Sequence, residues 1–250
     1  MKKYDFFDGL FILGNPYMSK GLTPKDALVQ LERANIKNAV IKTKELAYCS
    51  PDMAVSNMSK VLESYESFYG LYPMLPDITN DLPAISEVVV SSEFSRYAGF
   101  ILQPDVYNIP KQPIFLKEYF EVAAKRHIPV WFNMGVEKDY IYIADVLQEY
   151  PMLYTVLYFD DEWPNTRKVY PLLKEFKNTH LLTCNMIWMG AYEDFYNRFG
   201  AERLLFATRA PEKYIGAAIL DLLSADIPEN AKRMIAGENL KRLMGGIIRD

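Results

Sequence analysis

The sequence contains few of the side chains that most often bind metals or act as nucleophiles: its 250 residues include two histidines and two cysteines. Cys49 and Cys184 lie too far apart in the chain to form a redox or zinc motif, and two cysteines are too few for a disulfide framework. We therefore expect both cysteines to be reduced thiols in a cytoplasmic protein.

Long apolar runs and basic clusters are also missing. No stretch of about 18 uninterrupted apolar residues occurs, so the sequence predicts no transmembrane helix. Asp5 and Asp8 interrupt the apolar run that an export signal needs after the first residues. The net charge is -4 and lysine and arginine form no cluster, which argues against nucleic acid as a partner. No glycine-rich phosphate loop follows a predicted strand, so we expect no nucleotide and no other cofactor.

Apolar runs and amphipathic stretches alternate along the chain, a pattern typical of parallel βα units. The chain is 50% hydrophobic and 24% charged, as in ordinary globular domains. Eight apolar runs are predicted strands, at residues 7–13, 39–43, 70–75, 99–103, 129–133, 154–158, 181–185 and 204–208. Eight such units in a chain of this length predict one domain, residues 1–250, folded as a closed α/β barrel of the (β/α)8 or TIM type.

Helix start signals lie between several of these strands. A capping residue followed by proline, or a proline alone, favours the first turn of a helix. These signals stand at Thr23-Pro24, Ser50-Pro51 and Pro113. The predicted helices cover residues 25–34, 52–68 and 116–126, and a C-terminal helical extension covers 229–244.

Two segments near the C-terminus resemble a known family. Residues 199–211, Phe-Gly-Ala-Glu-Arg-Leu-Leu-Phe-Ala-Thr-Arg-Ala-Pro, are similar to the final barrel strand of the amidohydrolase-related family, with its Gly-x-x-Arg-Leu-Leu-Phe-Gly-Ser-Asp-x-Pro pattern. Residues 237–243 are similar to that family's closing helix, which ends in Asn-x-x-Arg-Leu. Residues 97–104, 127–130 and 150–153 resemble the segments at its fourth, fifth and sixth strands. The resemblance implies a TIM barrel of the amidohydrolase type.

Members of that family are metal-dependent hydrolases or decarboxylases, and the resemblance implies metal ligands at five positions. The opening His-x-His pair falls on Leu10 and Ile12, and Asp8 matches the acid that precedes it. The histidines of the fifth and sixth strands fall on Asn133 and Phe159. The final aspartate falls on Arg209.

Four of these five positions carry side chains that cannot bind a metal ion. The side chains of Leu10, Ile12 and Phe159 offer no lone pair, and the permanent cation of Arg209 would repel a metal. The resemblance therefore predicts a degenerate metal site and a protein without a bound metal.

Other metal-binding residues do not replace the missing ligands. His127 and His180 fall at strand starts, which in such a barrel is the face opposite the site. The acidic run Asp160-Asp161-Glu162 follows the sixth strand, but three adjacent carboxylates usually form a solvated loop.

Several polar residues at the ends of predicted strands are candidates for ligand binding. Arg209 can form a bidentate pair with a carboxylate or phosphate, or it can neutralise an acid such as Asp160. Lys42 and Lys44 can add positive charge to the same mouth, or lie exposed on the surface. The polar side chain of Asn133 can orient a ligand carbonyl.

A second group of candidates follows the third, fifth and seventh strands. Asn185 and Trp188 can supply a polar contact and an apolar platform, although the tryptophan can equally be packing. Glu137 and Asp77 are weak candidates for a general base, and neither has a partner identifiable in the sequence. Cys49 and Cys184 have no histidine at that face to activate a thiolate.

Three functions remain open from the sequence. The favoured one is an amidohydrolase-like barrel, a pseudoenzyme, that binds a small molecule, with anions among the candidates, or a partner, without metal catalysis. The second is a metal-independent hydrolase such as a lactonase, with Arg209 holding a carboxylate and Glu137 or Asp77 activating water. The third is a structural or interaction protein that forms a homo-oligomer, for which the 18 tyrosines offer interface residues.

Overall fold

The structure is a computed structural model that describes residues 4–14, 22–134, 137–159, 166–186 and 188–247, without the side chains of Glu137, Lys138, Thr166 and Asn185. Eight parallel strands follow one another around the sheet in sequence order. They are β1 (Phe6–Leu13), β2 (Ile36–Thr43), β3 (Phe68–Pro73), β4 (Tyr97–Leu102), β5 (Val130–Asn133), β6 (Thr155–Tyr158), β7 (Thr179–Leu182) and β8 (Leu204–Leu205). The predicted (β/α)8 barrel is confirmed.

Helices connect the strands on the outside of the barrel. They are α1 (Pro24–Arg33), α2 (Pro51–Ser64), α3 (Ile85–Val88), α4 (Lys117–Arg126), α5 (Glu137–Glu149), α6 (Thr166–Glu175), α7 (Ala191–Phe199) and α8 (Ile215–Ser224). The first helix begins where its sequence predicts, because the Thr23 hydroxyl accepts a hydrogen bond from the Asp26 amide and Pro24 occupies the first turn. Among the described residues, no helix is long and apolar enough to cross a membrane.

The barrel closes between its first and last strands. The Gly9 amide donates to the Phe206 carbonyl at 2.8 Å and the Arg209 amide donates to the Leu10 carbonyl at 2.8 Å. β7 and β8 end earlier than predicted. Residues 183–185 form a 3-10 turn, and the chain after Leu205 bonds to β1 and to the C-terminal helices rather than continuing a regular ladder.

The interior of the barrel is packed rather than hollow. Its apolar side chains include Leu10, Val40, Trp131 and Val156, each of which is fully buried. The indole of Trp131 spans the barrel and donates to the Gly9 carbonyl at 3.1 Å, which joins β5 to β1. Burying one such large side chain contributes about 1.5 to 3 kcal/mol, so the filled interior stabilises the barrel.

The amino-terminal end of the barrel is covered by the last helices, α9 (Glu229–Arg233) and α10 (Asn239–Gly245), joined by a π-helical turn at Met234–Glu238. The carbonyl of Ile235, within the π-helical turn, accepts a hydrogen bond from the Phe206 amide at 3.0 Å. Gly237 lies so close to the start of β1 that a Cβ atom there would be 2.2 Å from the Asp5 carbonyl oxygen. A glycine is therefore required where this cover meets the barrel.

Candidate functional site

A buried carboxylate holds the end of β8 against β1. Asp8 is fully buried and accepts hydrogen bonds from the Thr208 amide, the Thr208 hydroxyl and the Leu10 amide. The Thr208 hydroxyl in turn accepts from the Ala210 amide at 3.0 Å. Burial raises the pKa of Asp8 to about 7, against the lowering effect of these donors. This network sets the position of the residue that follows Thr208.

That residue is Arg209, whose backbone has a left-handed φ of 56° that non-glycine residues seldom adopt. Its side chain is 13% exposed and extends across the mouth of the barrel toward β6. There Nη1 donates to the Phe159 carbonyl at 3.1 Å, while Nη2 lies 2.9 Å from the Glu212 carboxylate. The guanidinium is thus held in the mouth of the barrel and not on its outer surface.

A second cation reaches the same place from the other side. Lys42 is on β2, with its side chain partly buried, and its Nζ donates to the Tyr158 hydroxyl at 3.3 Å. The same ammonium lies 5.5 Å from the centre of the Tyr158 ring. Because Tyr158 and Phe159 are consecutive residues, Lys42 and Arg209 converge on the carboxyl end of β6.

Polar side chains also lie at the carboxyl ends of the next two strands, β5 and β4. Asn133 pairs in register with Tyr158, and its backbone position is beside that of Gln103, one residue beyond the end of β4. Gln103 is buried, and its Oε1 has no hydrogen-bond partner among the described residues. The nearby hydroxyl of Tyr107 is equally buried and equally without a partner in the described part of the chain. A ligand with hydrogen-bonding groups would satisfy such atoms, which cost free energy when unpaired.

Lys44 and Glu212 border the mouth on the side of β1. The ammonium of Lys44 lies 3.1 Å from the Glu212 carboxylate, which also contacts Arg209. One acid therefore lies between two cations, and with Lys42 the described residues give this mouth more positive than negative charge. The acidic run Asp160-Asp161-Glu162, which includes the predicted alternative partner of Arg209, lies outside the described residues.

Of the five positions that the resemblance assigns to metal ligands, Asn133 and Arg209 lie at this mouth, Leu10 lies in the barrel interior, and Phe159 belongs to the apolar layer between the barrel and its helices. Leu10, Ile12 and Phe159 are buried apolar side chains, and Arg209 carries a positive charge. Among the described residues, no three histidine, cysteine, aspartate or glutamate side chains lie close enough together to hold a metal ion. These residues do not fit a metal centre of the family's type.

The two histidines lie at the other end of the barrel, and the two cysteines form no disulfide. His127 and His180 stand at the amino-terminal end of β5 and β7, as the sequence predicts. Both cysteines are free thiols. Burial raises the pKa of the Cys184 thiol to about 12, against the opposing charges of Arg209 and Lys213. A thiol with so high a pKa is a poor nucleophile near neutral pH.

The remaining sequence candidates either have other contacts or have side chains that the structure does not describe. Asp77 follows β3 and accepts a hydrogen bond from the Ile85 amide. Its negative charge contributes to raising the pKa of Tyr72 and of Tyr119, which belong to the outer layer, the apolar layer between the barrel and its helices. Burial raises the pKa of Asp77. Trp188 packs against the same outer layer. The side chains of Glu137 and Asn185 are not described, so their roles stay predictions.

Sequence reasoning missed Tyr158, Gln103 and Glu212 as residues of this mouth. Tyr158 and Gln103 stand at or just beyond strand ends, so alternation along β6 and β4 was a usable signal for both. No comparable signal was available for Glu212, whose contacts with Arg209 and Lys44 depend on the fold of the loop after β8.

Solved structures of other proteins share this fold over nearly the whole chain. A 2,6-dihydroxybenzoate decarboxylase from Rhizobium has a TM-score of 0.70 at 13% identity, covering 97% of this chain and 99% of its own. A dihydroxybenzoic acid decarboxylase from Polaromonas, with bound manganese and the inhibitor 2-nitroresorcinol, has a TM-score of 0.73 at 14% identity and covers 97% of both chains. No protein-family profile and no curated protein sequence matches the chain.

A third neighbour has a higher TM-score at lower identity. It is a 5-carboxyvanillate decarboxylase from Novosphingobium aromaticivorans, complexed with manganese and 4-hydroxy-3-methoxy-5-nitrobenzoic acid. Its TM-score is 0.76 at 9% identity, with coverage of 97% of this chain and 96% of its own. At identities this low, the comparisons show the fold alone: the chain shares its TIM-barrel fold with these decarboxylases, as expected from the sequence.

Proposed function

We propose that the carboxyl-end mouth of this barrel binds a small organic anion through Arg209 and Lys42, without a metal ion. The observation that carries the proposal is that the two cations reach consecutive residues at the carboxyl end of β6: Lys42 donates to the hydroxyl of Tyr158, the last residue of the strand, and Arg209 donates to the carbonyl of Phe159, which follows it. Phe159 occupies a position that the resemblance assigns to a metal-binding histidine. In this proposal, side-chain cations provide the positive charge at a place where related barrels use a metal.

The physical chemistry of the two side chains suits this role. Arg209 presents a planar fork that pairs with both oxygens of a carboxylate, and Lys42 adds a compact point charge. Partial burial strengthens both interactions because less water competes for the anion. Asn133 lies beside Tyr158, Gln103 follows the next strand, β4, and the Asn133 amide and the unpaired Oε1 of Gln103 would contact polar groups on the rest of the ligand.

Loss of the metal site is part of the same proposal. Leu10 and Ile12 bury apolar side chains where two imidazoles would be needed, and the charge of Arg209 opposes a cation. Binding, orientation and exclusion of water are what these residues can perform, and the proposal contains no step that uses a metal ion.

The neighbours suggest the class of anion to test first. One solved neighbour is a decarboxylase complexed with 2,6-dihydroxybenzoate, a flat carboxylate with two hydroxyl groups. A ligand of this class would place its carboxylate against Arg209 and Lys42 and its hydroxyl groups toward Gln103 and Asn133.

Isothermal titration of the purified protein with 2,6-dihydroxybenzoate tests the proposal. We expect Arg209→Ala and Lys42→Met each to weaken binding by about 10- to 100-fold, because a hydrogen bond to a charged group contributes about 1.5 to 3 kcal/mol. Arg198→Ala is the matched control, since Arg198 also pairs with an acid but lies on the outer helix α7. Equal affinities for all three variants and the native protein would remove Arg209 and Lys42 from the site.

A metal measurement tests the second half of the proposal. Elemental analysis of the purified protein should find no stoichiometric zinc, iron or manganese, and added manganese should leave the affinity for 2,6-dihydroxybenzoate unchanged. A tightly bound metal whose removal abolishes anion binding would contradict the proposal.

The two other functions inferred from the sequence stay as predictions. For a metal-independent hydrolase, Asp77 already accepts a hydrogen bond from the Ile85 amide, so we take Glu137 as the candidate base to test first. Lactone hydrolysis that survives chelation and is lost in Glu137→Gln would favour that function. A homo-oligomer is tested by light scattering of the purified chain at several concentrations.

A further inference from the structure

The amino-terminal end of the barrel contains a pocket of about 240 Å³ that the proposed function does not use. Its lining includes His127 from the loop before β5, Tyr154 from the loop before β6 and His180 from β7. Arg242 and Leu243 of the closing helix α10 complete it. The chain has two histidines, and both line this one pocket.

The wall of the pocket is aromatic. The ring centre of Tyr154 lies 5.5 Å from that of His127 and 6.4 Å from that of His180. The planes of Tyr154 and His180 are inclined by 28°, a stacked arrangement. Leu243 adds an apolar surface. Such a wall favours a flat ligand, because flat rings stack on aromatic faces with little loss of freedom.

The charge around the pocket is positive. The Arg242 guanidinium has the neutral amide oxygen of Asn239 as its hydrogen-bond acceptor, at 2.9 Å. Arg203, buried nearby, donates to the carbonyls of Thr179 and Phe176. Neither guanidinium has a carboxylate in hydrogen-bonding contact among the described residues. Burial, together with the charges of Arg203 and Arg242, lowers the pKa of His180 to about 4.

We propose that this pocket is a second ligand site, for a small flat carboxylate that stacks on Tyr154 and pairs with Arg242. A carboxylate supplies the counter-charge that Arg242 does not receive from the described residues, and a single ring matches the size of the pocket. The site lies at the opposite end of the barrel from Arg209 and Lys42, so this proposal can be correct or wrong whatever the outcome for the proposed function.

The two histidines make the pocket directly observable. In protein labelled with carbon-13 at histidine alone, the two pairs of imidazole signals report on this site and on no other part of the chain. We expect titration with benzoate to move both pairs along saturable curves that give one dissociation constant. Arg242→Met should weaken that constant at least about tenfold, as expected for loss of a charged hydrogen bond. Arg209→Ala and Lys42→Met should leave it unchanged.

Gly246→Leu is a second variant that keeps every charge. A Cβ at Gly246 would meet no atom closer than the Leu243 carbonyl oxygen at 3.4 Å, so the backbone accommodates a side chain at the edge of the pocket. We expect it to reduce benzoate binding while the protein stays folded. Imidazole signals that do not move, shifts that do not saturate, or an Arg242→Met protein with native affinity would overturn the proposal. Equal saturation by inorganic phosphate would overturn the requirement for a flat ring.

Discussion

The two ends of the barrel hold their cations in different ways. At the carboxyl end, Arg209 and Lys42 arrive from different strands and converge on the end of β6. At the amino end, Arg242 is placed by one helix that lies across the barrel, and Asn239 of the same helix is its partner. Convergence of several strands can build a site with many independent residues, whereas one covering helix provides a few residues in a single rigid unit.

The partners of these cations also differ. At the carboxyl end, the Glu212 carboxylate lies between Arg209 and Lys44 and offsets part of their charge. At the amino end, backbone carbonyls and an amide hold Arg203 and Arg242. Neutral acceptors satisfy the N–H groups without forming an ion pair, so among the described residues the charges of Arg203 and Arg242 are not cancelled by a directly bonded carboxylate.

The strongest test of this comparison removes the buried acid at the carboxyl end. Asp8→Ala leaves the Thr208 amide, the Thr208 hydroxyl and the Leu10 amide without their shared acceptor. We expect a loss of about 3 to 5 kcal/mol in the free energy of unfolding, since each buried unpaired donor costs about 1 to 3 kcal/mol. Urea denaturation followed by circular dichroism measures it.

Asp5→Ala is the control for that loss. Asp5 is exposed and pairs with Lys37 at the surface, so its removal should change stability by less than about 1 kcal/mol. Similar losses in the two variants would mean that Asp8 does not hold β8 against β1.

The corresponding variant at the amino end should lower the free energy of unfolding by a smaller amount. The side-chain amide of Asn239 is buried and donates to the carbonyls of Ala201 at 2.8 Å and Leu204 at 2.9 Å, which tie α10 to the start of β8. Asn239→Ala should cost about 2 to 4 kcal/mol by the same urea measurement, because two buried carbonyls lose their donor. Asn197→Ala, on the exposed side of α7, should leave the unfolding curve nearly unchanged. A loss larger than that of Asp8→Ala would reverse the expected order of the two ends.

The ends should also respond to pH in opposite directions. The folded pKa of Asp8 is raised to about 7 from 3.8, so its stabilising contribution is complete below 3.8 and is lost as the pH rises through 7. The folded pKa of His180 is lowered to about 4 from 6.5, so its contribution is complete above 6.5 and is lost as the pH falls toward 4.

Unfolding free energies of Asp8→Asn and His180→Leu at about pH 5 and about pH 6.5 measure this contrast. Relative to Asp8→Asn, the native protein should become less stable at the higher pH by about 1 to 2 kcal/mol. Relative to His180→Leu, it should become more stable by about 1 kcal/mol. Parallel pH profiles for the native protein and either variant would contradict the corresponding prediction.

The fold was more accessible from the sequence than the site was. The βα alternation predicts all eight strands because apolar periodicity is a local property of the chain. The end of β8 was predicted too late because the residues after Leu205 bond to β1 and to the π-helical turn, and local periodicity does not report such contacts. The end of β7 was also predicted too late, since residues 183–185 form a 3-10 turn.

Within the site, strand position predicted where Arg209 and Asn133 lie, and the mouth contains both of them. It did not predict that Lys42 crosses the barrel to Tyr158, because the length and direction of a lysine side chain are decided by the packing around it. The sequence did not predict the contacts of Glu212 either. Its contact with Lys44 joins segments that are distant in the chain, and its contact with Arg209 depends on the fold of the loop after β8.

The sequence alone determined that this chain forms a barrel and that residues such as Leu10, Ile12 and Phe159 carry no metal-binding group, because residue identity and local pattern suffice for both. The tertiary structure decided which charges meet. Asp8 contacts Thr208 across a separation of 200 residues, and Lys42 and Arg209 reach neighbouring residues at the end of β6. Closure of the barrel brings these segments together, and electrostatic interactions depend on distance in space rather than on separation along the chain.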